Sequence, residues 1–189
     1  MTGLVHIVVA AFRADAAADA VAHATERARA LRTAPDVIEV IIGRSEERLV
    51  VATWLPGREA LDAFAASGEH MSFVMQGLAP AIRGMWSAAV ETEGAPPASR
   101  PARLWAFALP EREGVYEWQV RDLLDDIATL PGAAAGGPTV EERERFRAGG
   151  VVTLAADDAS FEARLEVLRA HWLEVVGPIE EALVPVLSD

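Results

Sequence analysis

Val50-Val51-Ala52-Thr53-Trp54 leads into a helical stretch holding Leu61 and Phe64, then to His70 and a second helix. About one hundred residues further on, Val151-Val152-Thr153-Leu154 leads into a stretch holding Phe161 and Leu165, then to His171. An internal period changes the fold being sought, so it is weighed before any single residue. Here it predicts two small α+β units in one polypeptide, each covering the other's sheet.

Working outward, residues 4–12 are apolar and β-branched, as a strand buried on both faces requires. Ala17, Val21, Ala24, Ala28 and Leu31 recur at helical spacing and predict a helix over 15–31, ended by Pro35-Asp36. Strands follow over 37–42 and 48–55 around a turn at 43–47. Pro56-Gly57 opens a helix with Leu61, Phe64 and Ala65, a second helix spans 69–79, and 85–91 alternates as a final strand. The order β-α-β-β-α-β is the split βαβ, or ferredoxin-like, plan. Gly94-Ala95-Pro96-Pro97-Ala98-Ser99-Arg100-Pro101 reads as a stiff linker. The expected organisation is a unit over 1–93, a linker over 94–101 and a second, divergent unit over 102–189.

In the second unit a strand is expected over 103–109, then a helix over 115–130 with Tyr116, Val120, Leu123, Leu124 and Ile127 inward. Residues 131–138 read as a flexible small-residue stretch, and 141–147, alternating in charge, as a mostly solvated hairpin arm or short helix. A strand over 151–155 precedes a long helix bearing Phe161, Leu165, Leu168, Trp172 and Val175, broken at Gly177-Pro178. The final strand reads as short, 184–187. One face of a ferredoxin-like sheet takes its own helices; the other needs a cover. The two halves are therefore expected to pack as an intramolecular α+β barrel.

The chain has 189 residues, half of them apolar, and a formal charge of -12, which repels nucleic acid. It contains no cysteine, lysine or asparagine. Thiolate and lysine Schiff-base chemistry are excluded, and a reducing cytoplasm is the expected compartment. The arginine- and alanine-rich composition reads as codon bias of a high-GC genome of the kind actinomycetes have. No run of eighteen apolar residues predicts a membrane span, and no secretory signal is expected. No dinucleotide fingerprint, phosphate loop, HExxH or GxSxG motif occurs.

Residues 4–12, the strand ending in Trp54 with Arg58-Glu59-Ala60-Leu61 after it, and residues 70–80 resemble the antibiotic biosynthesis monooxygenase family, within the dimeric α+β barrel superfamily. The resemblance covers residues 3–92 and reaches the second half only through its likeness to the first. It implies an oxygenase that uses neither metal nor flavin as cofactor and oxidises an aromatic polyketide or quinol with O2. A deprotonated substrate of that kind passes an electron to oxygen directly, so the protein has only to hold the ring, exclude water and stabilise an anion. The resemblance also implies a possible homodimer. Family members often place an asparagine and a tyrosine beside the tryptophan. This chain has no asparagine, and its one tyrosine, Tyr116, lies in the other half. Those roles then fall to His6, His70 or backbone amides.

The candidate catalytic residues are Trp54, at the family's tryptophan position, His70, which shares a helical face with Phe73, Val74 and Gly77, and His6, polar within an apolar strand. A histidine titrates near working pH and can take a phenol proton. Phe64, Met71, Phe73, Met75 and Trp86 are candidates for the core or the pocket, and Arg83 for an oxyanion partner. Glu39 is expected to face solvent on an edge strand, and His23 to be exposed. In the second unit Leu154 stands in place of Trp54, while Trp105, Trp118, Trp172 and His171 could form a different pocket. Other readings remain open on this scaffold: a cyclase or isomerase, a haem binder or degrader through His70, or a non-catalytic small-molecule binder.

Overall fold

A computed structural model of the chain describes residues 3–140, 145–155 and 159–188. The first half runs β1 (Gly3–Phe12), α1 (Ala18–Ala30), β2 (Glu39–Arg44), β3 (Arg48–Leu55), α2 (Arg58–Ala66), α3 (Gly68–Ser72) and β4 (Ile82–Thr92). The second runs β5 (Arg103–Pro110), α4 (Glu117–Ala128), β6 (Ala133–Pro138), β7 (Phe146–Leu154), α5 (Ala159–Val175) and β8 (Glu180–Pro185). Among the described residues each half forms a four-stranded antiparallel sheet, ordered β2-β3-β1-β4 and β6-β7-β5-β8. The shared strand order is the expected pair of ferredoxin-like units.

Alternate side chains of a strand point to opposite faces, and both faces of β1 are apolar. Leu4, Val8 and Phe12 lie in the core under the helices of the first half. Val5, Ile7 and Val9 meet Leu104, Ala106 and Ala108 of β5 in a second core between the two sheets. A third core, with Trp105, Phe107 and Phe161, lies under α4 and α5. Each large apolar side chain buried this way contributes roughly 1.5–3 kcal/mol. Near-continuous apolar strands are thus the sequence signature of sheets covered on both sides.

The sheet edges meet in pairs and close the barrel. At one seam Val90 bridges Thr139, and the Val140 N–H donates to the Ala89 carbonyl at 2.9 Å. At the other, Gly43 bridges Val186, and the Leu187 N–H donates to the Ile42 carbonyl at 2.9 Å. Glycine is required where the edges press together. A Cβ at Gly137 would collide with the backbone carbonyl of Glu91 on β4. A Cβ at Gly43 would meet the Val184 side chain and lie 3.1 Å from the Pro185 carbonyl.

Several expectations are corrected. The stretch 131–138 is not a flexible connection; it contains edge strand β6, paired with β7 through Gly136↔Gly150 and Gly137↔Gly149. Its small residues carry no strand signal, yet they are what the seam with β4 admits. Of the arm at 141–147, residues 141–144 lie outside the described residues, and Phe146 already begins β7. The last strand is Glu180–Pro185 rather than 184–187. It was masked by two glutamates, of which Glu181 accepts from the Trp105 indole N–H at 2.7 Å and from Arg169 at 2.7 and 2.8 Å. Tyr116 does not point inward: it caps α4 and is 62% exposed. The helix expected over 69–79 is divided into α3 and a π-helical turn, Phe73–Leu78.

Gly137→Ala should lower the unfolding free energy by about 1–3 kcal/mol, because the colliding partner is backbone and cannot rotate away. Gly84→Ala, where an added Cβ meets nothing within 4 Å, should stay within about 0.5 kcal/mol of the parent. Urea denaturation of both variants measures the contrast.

Candidate functional site

The site is built on the helix-facing side of β1. Leu4, Val8, Ala10 and Phe12 on that face are fully buried, whereas His6 is only half-buried. The helical cover is therefore incomplete above His6. Phe64 comes from α2, whose residues Ala60, Leu61 and Phe64 turn inward at helical spacing. The His6 and Phe64 rings lie 5.6 Å apart, and His70 completes the group at 5.9 Å from His6 and 4.9 Å from Phe64.

Ser67 locks this corner. Its hydroxyl donates to the Phe64 carbonyl at 2.7 Å and accepts the His70 N–H at 3.2 Å, so it ends α2 and caps α3 together. The His70 ring is then held by Nδ1, 3.1 Å from the Ala65 carbonyl. A carbonyl only accepts, so Nδ1 carries the proton and Nε2 keeps its lone pair. A base with fixed orientation and tautomer results.

Burial, and secondarily the charge His70 would carry, push the His6 pKa from 6.5 down to about 4. Burial also lowers the pKa of His70, against the opposing effect of the Ala65 hydrogen bond. Two neutral imidazoles side by side are what an anion-forming proton transfer near neutrality needs on its accepting side. Two charged imidazoles at this separation would repel each other.

The other sequence candidates lie elsewhere. Trp54 is buried on the opposite face of the sheet, in the inter-sheet core. It pairs with Val5, whereas His6 pairs with Thr53. Its indole N–H is buried with no hydrogen-bond partner among the described residues. Trp86 also belongs to the inter-sheet side, where its ring lies 5.6 Å from Phe146 of β7. Phe73 is a buried member of the helix-side core. Met71 and Met75 are 50% and 61% exposed and line no core, because they sit on the outer face of the helical segment. Arg83 is exposed and borders a separate cleft of about 260 Å³ with Phe12, Arg13 and Glu46. Glu39 is half-buried rather than solvated, and its carboxylate accepts the Val40 N–H at 2.9 Å.

Among the described residues the second unit has no matching cluster. When Leu4↔Leu55 is laid on Arg103↔Leu154, Trp105 takes the place of His6 and Thr153 that of Trp54. Leu154 does not replace Trp54, since it faces the helices. Trp105 and Trp172 stack in the core with centroids 6.4 Å apart, and their N–H groups are satisfied by Glu181 and Asp126. Trp118 is 59% exposed and His171 is exposed, so the four residues form no second pocket.

Sequence reasoning missed Ser67 and the Ala65 carbonyl, which orient His70. Ser67 before a helical run is a legible cap signal; its double use is visible only in three dimensions. It also missed a cleft of about 600 Å³ at one end of the inter-sheet space, lined in part by Arg48, Arg112 and Arg145. Those arginines come from separate parts of the chain.

No family model and no curated protein sequence matches this chain. Solved structures do share its fold over nearly the whole length. One described as an anthrone oxidase-like protein superposes with a TM-score of 0.63 at 11% identity, covering 98% of this chain and 92% of its own. A "putative monooxygenase" from Fusobacterium nucleatum gives 0.59 at 10% identity, covering 99% and 93%. Another so described, from Lactobacillus acidophilus, gives 0.55 at 11%, covering 99% and 94%. At these identities the likeness is one of fold: two ferredoxin-like units in one polypeptide.

The neutral state of His6 has a stability consequence. Its folded pKa lies below the unfolded value, so as pH falls the unfolded chain binds the proton first. The stability is fully present above about 6.5 and is lost as pH falls toward about 4. His6→Leu should therefore lose less stability than the parent between about pH 7 and about pH 4.5, by on the order of 2 kcal/mol. Denaturation curves at the two pH values measure this; superimposable losses would mean that His6 is well solvated.

Proposed function

We propose that this protein is a monooxygenase of the antibiotic biosynthesis type, oxidising a phenolic aromatic polyketide or quinol with O2 and without a bound cofactor. The observation that carries the reading is the His70 imidazole, held by Nδ1 with Nε2 free as a base, its ring 5.9 Å from that of neutral, half-buried His6. The fold shared with proteins described as monooxygenases and as anthrone oxidase-like supports it.

In this reading His70 Nε2 takes the phenol or ring C–H proton. The resulting anion gives one electron to O2, and the radical pair recombines to a carbon-bound peroxide. Loss of water from the peroxide leaves the carbonyl of a quinone, so one oxygen atom enters product and the other leaves as water. Phe64, buried in the helix-side core, packs against both imidazoles and holds them in place, and His6 offers a hydrogen bond to the anion. Residues 1–93 carry the chemistry, 94–101 join the units, and 102–189 close the barrel. Because the barrel closes within one chain, the site is complete without a second copy; a homodimer would add an outer contact.

An oxygen electrode with a hydroxyanthrone as substrate tests this. The parent should consume one O2 per quinone formed, and His70→Ala should lower kcat about 10²–10⁴-fold. The acid limb of kcat/KM should fall below pH 6.5, following the lowered His70 pKa. Substrate turnover without O2 uptake would replace the oxygenase by a proton-transferring cyclase or isomerase. Activity lost in Trp54→Phe with stability unchanged, and retained in His70→Ala, would move the site to the other face of the sheet.

A further inference from the structure

We infer that the open end of the inter-sheet space is a second binding site, taking a flat aromatic molecule that carries a carboxylate. The cleft there measures about 600 Å³ and is lined from both units. Its inner wall is apolar: Val9 of β1, Trp86 of β4 and Phe146 of β7 belong to the inter-sheet core or pack on it. The Trp86 and Phe146 rings are tilted at 59° with centroids 5.6 Å apart, one from each unit. That places two aromatic walls at the head of the cleft.

The outer wall is cationic. Arg48, Arg112 and Arg145 line it together with Glu111 and Glu180. Glu111 is engaged by Arg147 at 3.0 Å, so its charge is met from outside the cleft. Among the described lining residues, three guanidinium groups against the remaining Glu180 leave a positive excess on a chain whose net charge is -12. Arg48 and Arg112 each donate to one backbone carbonyl of the second unit, those of Glu181 and Val176. A guanidinium has five N–H donors in a fork that fits a carboxylate. Anchored arginines with donors to spare make a preorganised anion rim.

Gly84 is the independent sign that this space is meant to stay open. It pairs with Ala11, and Trp86 two residues on faces the inter-sheet core, so Gly84 points the same way. A Cβ built there meets nothing within 4 Å. Glycine inside a strand usually answers to a close backbone or a ligand. At Gly43 and Gly137 the close neighbour is protein; at Gly84 there is none. This site lies on the opposite side of the first sheet from His70 and does not depend on the oxygenase reading.

Isothermal titration of the full chain with 2-naphthoate, with uncharged 2-naphthamide as comparator, tests the inference. Naphthoate should bind at millimolar affinity or better, and naphthamide about tenfold or more weaker. Gly84→Leu, which projects a side chain toward the cleft from a position where a Cβ meets nothing within 4 Å, should weaken naphthoate at least about tenfold at an unchanged melting temperature. Arg145→Ala, which removes a cation and fills nothing, should weaken it at least about threefold. His70→Ala should bind naphthoate as the parent does. Equal binding in Gly84→Leu and the parent, equal binding of the amide, loss of binding in His70→Ala, or no heat of binding at millimolar naphthoate would each overturn it.

Discussion

Closure of the two seams is the constraint on which the rest depends. A sheet edge is a row of unpaired backbone donors and acceptors, and each half of this chain has two such edges. Short backbone bridges of β4 with Thr139 and Val140, and of β2 with Val186 and Leu187, join the edges locally. The approach must be close enough for backbone hydrogen bonds, which is why Gly137 and Gly43 sit where a side chain would intrude. The inter-sheet core then follows. Val5, Ile7 and Val9 have a partner surface because the edges hold the second sheet over them.

That closure assigns different work to the two faces of the first sheet. The inter-sheet face is committed to packing along most of its length, and Trp54 is part of that packing despite an unsatisfied indole N–H. A buried unpaired donor costs about 1–3 kcal/mol, so the ring's apolar area must outweigh it. The helix-covered face is freer, because α2, α3 and the π-helical turn can leave a gap without breaking a seam. Among the described helix-facing residues of β1, His6 is the one the helices do not fully cover. A π-helical turn widens the local helix by one residue per turn and is often found near functional groups; here it follows directly on α3 and His70.

The internal period and the two-sided apolar strands were readable from residue order alone, because they rest on patterns of period two and period 3.6. His6 was readable as a candidate because it breaks an apolar strand, and His70 because it is a polar residue on an apolar helical face; Phe64 continues its helix's apolar stripe. What could not be read was which face a residue takes at the end of a strand. Val50 to Trp54 has no polar residue but Thr53, so nothing in its alternation says that Trp54 and His6 part company; the β1–β3 register decides it. Strand β6 was illegible for a related reason. Ala-Ala-Ala-Gly-Gly-Pro lacks every β-forming side chain, and it becomes a strand only because a neighbouring edge needs small residues. Glu180 and Glu181 hid β8 in the same way, since the arginine and the indole that satisfy Glu181 lie on other elements.

The same register explains why two similar halves are not equivalent. At the position where the first unit has His6, the second has Trp105, whose N–H goes to a Glu181 carboxylate already held by both arms of Arg169. The Arg169 guanidinium is pushed further toward its charged form by that bond, and the four-ring cluster of Trp105, Phe107, Phe161 and Trp172 fills the space between. A helix–sheet interface packed and hydrogen-bonded to this degree has no lone pair to offer a substrate. The first unit has the complementary arrangement: smaller rings, and pKa values held down by desolvation. The second half commits the matching space to an aromatic stack and a satisfied carboxylate, so the two halves share a fold without sharing a side-chain arrangement at that place.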